Sequence, residues 1–181
     1  MTEQVANVQD FKALDLQFVK NLRHHLYSKS PQIYSLHRAL GKNCSSDLMS
    51  YIDFLSIAGE NTVKSKEDIY FIVASVFYNV ESIHGGADYD KEKSVEYVSF
   101  EKLLGRLYKT SDSTAMSIKG LLRQTNVNSN SFRKQFALFV GRCKKEIRTG
   151  ESLDYVKLLN DLKFWNTETR YRWAEVILSD S

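Results

Sequence analysis

One proline and eight glycines in 181 residues leave few positions that break a helix. The two cysteines, Cys44 and Cys143, lie far apart with no Cys-x-x-Cys spacing, which argues against a disulfide framework and a cysteine zinc site. The four histidines, His24, His25, His37 and His84, include no i,i+4 pair of the kind a helical metal site uses. No apolar run approaches the roughly 20 residues needed to span a bilayer. The start, Met-Thr-Glu-Gln-Val-Ala-Asn, lacks the charged segment and apolar core of a signal peptide. A cytoplasmic protein without metal, cofactor or membrane attachment is expected.

What is present is a globular composition, 43% hydrophobic and 12% aromatic, with apolar residues recurring at helical spacing. The net charge of +3 hides a division. Residues 1–101 carry 10 Lys and Arg against 14 Asp and Glu; residues 102–148 carry 11 against 2; residues 149–181 carry 4 against 6. The middle segment is thus at +9 while its flanks are acidic, the pattern of a basic patch.

The expected fold is all-α, two small helical bundles with about nine helices in total: residues 1–84, a linker over 85–98, and residues 99–181. Phe11, Leu14, Phe18, Leu22 and Leu26 mark a first helix with Lys12 and Arg23 at the edge of its stripe. Pro31 after Ser30 opens a second element that ends at Gly41, and Ser45-Ser46-Asp47 caps a third that runs to Gly59. Residues 67–82 are apolar around most of the circumference, as in a core helix; length favours helix over the strand that Ile69 to Phe77 also suit. Residues 83–98, with Gly85-Gly86, read as the linker. Five short helices follow, over 99–108, 114–123, 132–148, 153–165 and 167–178.

The helix over 132–148 carries the clearest functional signal. At about 100° per residue its apolar stripe is Phe132, Phe136, Phe139, Val140, Cys143 and Ile147. Arg133, Lys134, Lys144, Lys145 and Arg148 gather in a neighbouring arc about 120° wide, with Arg142 beside it and Glu146 the one carboxylate. A helix that needs only solubility mixes signs at i,i+4; a one-signed face invites a polyanion. Lys119 and Arg123 on the preceding helix extend the cationic set, and Arg23 is its outlying candidate.

Other motifs are weaker. Gly59 to Ser65 lacks the second Gly of a phosphate loop, places Lys64 one position early and follows a helix; Lys64-Ser65-Lys66-Glu67 reads better as a Ser-capped helix start. Cys143 on an apolar stripe is a small hydrophobe, not a nucleophile. Trp165 and Trp173 suit base stacking or core packing, and their apolar neighbours favour the core. Asp161 is suited to holding an Arg or a helix end.

The string Leu153-Asp154-Tyr155-Val156-Lys157-Leu158-Leu159-Asn160-Asp161-Leu162-Lys163-Phe164-Trp165, followed by Arg170-Tyr171-Arg172-Trp173-Ala174-Glu175, resembles the C-terminal signature of the CasB family. That family is the small subunit of the type I-E CRISPR surveillance complex Cascade. Leu36 to Lys42 resembles its N-terminal Leu-Arg-Arg segment, Phe71 to Phe77 its central apolar helix, and Ser99 to Leu104 the helix after its linker. His37 stands where the family has the first Arg of a pair, leaving Arg38 and Lys42 for a phosphate contact; Val176-Ile177 replaces a terminal aromatic pair.

The resemblance implies a non-catalytic subunit of two helical bundles. Its implied partners are the backbone and large Cascade subunits, a second copy of itself, the guide RNA ribonucleoprotein and target DNA. The implied role is to stabilise the R-loop by holding the displaced single strand on basic helix faces. Backbone contacts can tip the near-balanced exchange of a DNA duplex for an RNA–DNA hybrid. The alternative is a helical adaptor whose basic face docks an acidic protein and which binds no nucleic acid. A hydrolase finds no supporting constellation.

Overall fold

The computed structural model describes residues 2–27, 33–81 and 95–179. Among them are nine α-helices and one two-stranded parallel sheet. Pro31, His84 and most of the expected linker lie outside the described residues, as does the side chain of Phe11.

The first helix, α1 (Thr2–Tyr27), buries Phe18, Val19 and Leu22. A short α2 (Ile33–Arg38) ends in a turn at Gly41, whose φ of 84° is the left-handed conformation that glycine adopts without a Cβ clash. Asp47 then starts α3 (Leu48–Ala58), its carboxylate accepting from the Ser50 amide at 3.2 Å. The next helix, α4 (Glu67–Glu81), is entered through a 3-10 turn over Lys64–Lys66. That turn takes the place of the expected Ser cap: Val63 stands at the cap position before it and no side chain closes it.

Every residue of α4 from Ile69 to Glu81 is buried, so this helix has neighbours on all sides. Most of its polar groups are paired inside the protein, the buried Tyr78 hydroxyl being without a partner among the described residues. Ser75 Oγ donates to Phe71 O at 2.9 Å, and Asn79 Nδ2 to Ser75 O and His37 O. Tyr70 OH donates to Asp15, and Glu81 accepts from Tyr155 OH at 2.8 Å.

Two extended segments differ from the all-helical expectation. Glu96–Val98 (β1) pairs in parallel with Glu151–Leu153 (β2), in the register Glu96 to Glu151 and Val98 to Leu153. Three-residue strands are too short to leave a periodic signal, and β1 begins inside the stretch that reads as linker. The remaining helices are α5 (Phe100–Tyr108), α6 (Asp112–Arg123), α7 (Asn130–Cys143), α8 (Tyr155–Lys163) and α9 (Thr167–Ser179). Asp154 caps α8 through the Lys157 amide at 2.9 Å, so Leu153 belongs to β2 rather than to the helix.

Helices α1, α2, α7 and α8 all pack against α4, and one continuous cluster of buried apolar residues runs from Phe18 to Ile177. Phe54 meets Phe71 edge-on at 5.6 Å on one side of α4, and Phe77 meets Tyr155 at 4.9 Å on the other. Trp165 and Trp173, 4.9 Å apart, sit in this core among Phe100 and Phe132. Trp173 Nε1 donates to Asp161, which also takes Lys157 and Arg172, so the buried carboxylate ties α8 to α9 as its sequence context suggests.

The buried pair Lys163–Asp15 ties α8 to α1, with Nζ 2.7 Å from Oδ1 and both side chains 3% exposed. Removing one member leaves the other charged and buried. Lys163→Ala is expected to lower the unfolding free energy in urea by about 3–5 kcal/mol, and adding Asp15→Asn should recover part of that loss. The exposed Lys64→Ala should change it by less than about 0.5 kcal/mol.

Candidate nucleic-acid interface

Helices α6 and α7 form an antiparallel hairpin. Ser111 Oγ caps α6 through the Thr114 amide at 3.2 Å, and Ser129 Oγ caps α7 through the Phe132 amide at 3.1 Å. Gln135 Nε2 donates to Ser117 O at 2.8 Å midway along the pair, and Arg142 Nη1 reaches Thr114 Oγ1 at 3.4 Å at its far end. The stripe of Phe132, Phe136, Phe139, Val140 and Cys143 is buried as expected. The opposite side of α7 exposes Lys134, Leu138 and Arg142.

Two expectations for this helix are corrected. Arg133 is not on a solvated face: it is 5% exposed, with its guanidinium 3.6 Å from Asp68 at the start of α4. It lies at the edge of the apolar stripe, on the side that α4 and the turn after α2 cover. The helix also stops at Cys143 instead of reaching Arg148. The amides of Lys145 and Glu146 bond to Arg142 O and Cys143 O in a tight turn. Arg106 holds that turn, with Nη1 2.6 Å from Glu146 O and both terminal nitrogens on Glu151. Gly150, at φ 88°, then aims the chain into β2. The Arg106 guanidinium holds the Glu151 carboxyl down at about 2.

Lys144, Lys145 and Arg148 therefore extend from the turn after the hairpin, beyond Cys143, rather than from a helix face. Lys145 and Arg148 are exposed and Lys144 half-buried. Lys119 and Arg123 are exposed on α6, one turn apart, with Lys119 Nζ 5.8 Å from the Tyr108 ring. Among the described residues, no carboxylate lies within ion-pair distance of Lys119, Arg123, Lys134, Arg142, Lys144, Lys145 or Arg148.

Arg38 and Lys42 come from the N-terminal half, yet their turn docks on α7. A Cβ built on Gly41 would sit 3.2 Å from Ala137 Cβ. Both cations are exposed, and Lys42 pairs with Asp47 at 2.7 Å. Arg23 is engaged elsewhere: it lies along Tyr97 of β1, 5.4 Å from the ring centroid and 3.1 Å from the hydroxyl. Arg170 and Tyr171 are not among the site residues expected from sequence. They meet Lys119 and Arg123 in a groove of about 310 Å³ between α6 and α9. In the sequence only their place in the C-terminal string marks them.

The other chemical candidates are quiet. Cys143 is buried, and burial pushes its thiol up. Burial and the neighbouring Asp68 raise Cys44 to about 11, so it is a protonated thiol at neutral pH. The cavity beside Lys64 to Lys66 also presents Glu67 and Asp68, which oppose a phosphate there. Among the described residues, no three His, Cys, Asp or Glu side chains are placed to hold a metal, and no helix is long and apolar enough to cross a membrane. Comparison with family models, with curated proteins and with solved structures found no match to this chain.

The neighbours Arg133 and Lys134 separate a structural cation from a surface one. Arg133→Ala should destabilise the fold by about 1–3 kcal/mol, because packing is lost and Asp68 loses its partner. Lys134→Ala should stay within about 0.5 kcal/mol of the wild type. Chemical denaturation of the two variants checks this.

Proposed function

We propose that this protein is a non-catalytic small subunit of a type I-E CRISPR surveillance complex, in the manner of the CasB family, acting inside the cell. It stabilises the R-loop by holding the displaced DNA strand on the cationic surface of α6, α7 and the turn that follows. One observation carries this reading: among the described residues, most cations at the surface of this region lack an ion pair, while half-buried Arg106 and buried Arg133 have one. Arg106 and Arg133 are matched by Glu151 and Asp68. Lys119, Arg123, Lys134, Arg142 and Lys145 are exposed and without an ion pair among the described residues, and exposed Arg148 shares Glu151 with Arg106.

Charges left uncompensated at this density repel one another unless a polyanion is bound. Phosphates suit them, because a displaced strand changes sequence with every target and only its backbone is constant. Arg38 and Lys42, seated against α7, extend the track into the N-terminal half. The backbone and large subunits, the guide ribonucleoprotein and a second copy of the chain are the partners this role entails.

A second reading is a helical adaptor whose basic face docks an acidic protein. The surface of α3 favours it: Leu48 and Met49 are 69% and 66% exposed, with Ile52 and Leu55 beside them, and such a ridge gives a protein partner apolar anchors. The readings part on nucleic acid. In a salt titration of labelled single-stranded DNA, the first predicts sequence-indifferent binding that weakens as salt rises. The Lys144→Glu, Lys145→Glu variant should bind more weakly and with a log–log salt slope shallower by about 0.7 per lost contact. An unchanged slope in that variant contradicts the assignment, and absence of strand binding at low salt leaves the adaptor.

A further inference from the structure

The groove between α6 and α9 combines features that backbone binding alone does not require. Its floor is apolar, formed by Leu122 and Ala174, and Tyr171 stands at its edge, 68% exposed. Lys119 and Arg123 project from one wall, one helical turn apart, with about 6 Å between their Cβ atoms. That spacing is comparable with the phosphate repeat of an extended strand.

Arg170 belongs to the same groove and is held in place. Its Nη1 lies 3.4 Å from Leu122 O, its Nη2 3.0 Å from Thr167 Oγ1 and its Nε 3.3 Å from Asn166 O. All three acceptors are neutral, so the guanidinium is oriented without losing its charge.

The surroundings of Tyr171 are asymmetric. On the α9 wheel Thr167, Arg170 and Ala174 lie to the side facing α6, while Glu168 and Glu175 lie about 40–60° to the other side. A polyanion is thus attracted to one flank of the ring and repelled from the other. An exposed tyrosine in that position offers a flat, sequence-tolerant surface to a base whose phosphates are held alongside.

Resting on the R-loop reading above, we propose that this groove seats an unpaired base of the bound strand against Tyr171, with Lys119, Arg123 and Arg170 on the flanking phosphates. The surface then does more than neutralise charge: it grips unstacked nucleotides and so discriminates a displaced single strand from duplex DNA, whose bases are already stacked.

The test compares full-length wild type, Tyr171→Phe and Tyr171→Ala by fluorescence anisotropy. The probes are labelled oligothymidylate, an abasic strand of the same length and a labelled oligoglutamate peptide, with folding checked by circular dichroism. Tyr171 is mostly exposed, so both variants should fold. The wild type should prefer thymidylate to the abasic strand. Tyr171→Ala should bind thymidylate about tenfold more weakly and the abasic strand as the wild type does. Tyr171→Phe should stay within about twofold of the wild type.

Equal thymidylate binding by Tyr171→Ala and wild type overturns the stacking site while leaving the R-loop reading in place. A loss in Tyr171→Ala that is as large on the abasic strand also overturns it. Wild type that binds neither strand at low salt overturns both proposals. Binding of the peptide alone, lost in Tyr171→Ala, reassigns the groove to an acidic protein.

Discussion

Thirteen consecutive residues of α4, Ile69 to Glu81, are buried, so this helix has no face to turn to water. Cover must come from several directions, and it comes from both halves of the chain: α1 and α2 before it, α7 and α8 after it. The burial of Phe71, Val73, Val76 and Phe77 draws these elements together. The polar residues that α4 carries fix how they sit. Tyr70 reaches Asp15 on α1, Asn79 reaches the His37 carbonyl at the end of α2, and Glu81 takes Tyr155 at the start of α8. Each is a buried group that costs stability if its partner moves, so the central helix sets orientation as well as proximity.

That arrangement also sorts the cations. Where α7 and α8 turn toward the core, their basic residues find acids: Arg133 finds Asp68 and Lys163 finds Asp15. A charge enclosed in this way is not available to a ligand. Where the same elements turn outward, or where the chain leaves α7 in tight turns, Lys134, Arg142 and Lys145 meet no carboxylate among the described residues, and Arg148 has only the nearby Glu151, which Arg106 already holds. The local excess of positive charge in residues 102–148 is thus divided by packing into a structural part and a surface part. The docking of the Gly41 turn on Ala137 brings a second group, Arg38 and Lys42, beside the surface part.

Much of this was legible where apolar spacing is strong. The enclosed character of α4, the buried stripe of α7 from Phe132 to Cys143, the Asp47 cap and the packing of both tryptophans follow from periodicity and residue type. Asp161 as the holder of an Arg or a helix end was legible too, though not that the Arg is Arg172. What escaped depends on long-range partners. A helical wheel places Arg133 at the edge of a stripe but does not contain α4, so it misses the burial. It does not contain Arg106 either, whose hold on Glu146 O and Glu151 ends the basic segment as a turn. The strand Glu96–Val98 exists because Glu151–Leu153 is beside it. Tyr171 gains its setting from α6, a helix some 50 residues earlier in the chain.

On the reading proposed above, a single strand lies on the surface of α6, α7 and the following turn. Lysine acetylation footprinting by mass spectrometry, with and without single-stranded DNA at low salt, tests it directly on the intact chain. Lys12, Lys20 and Lys64 are exposed on other elements and serve as references. Lys119, Lys144 and Lys145 should be acetylated more slowly when DNA is present, with the reference lysines unchanged. Equal protection of both sets, or protection of the reference lysines alone, would contradict that reading.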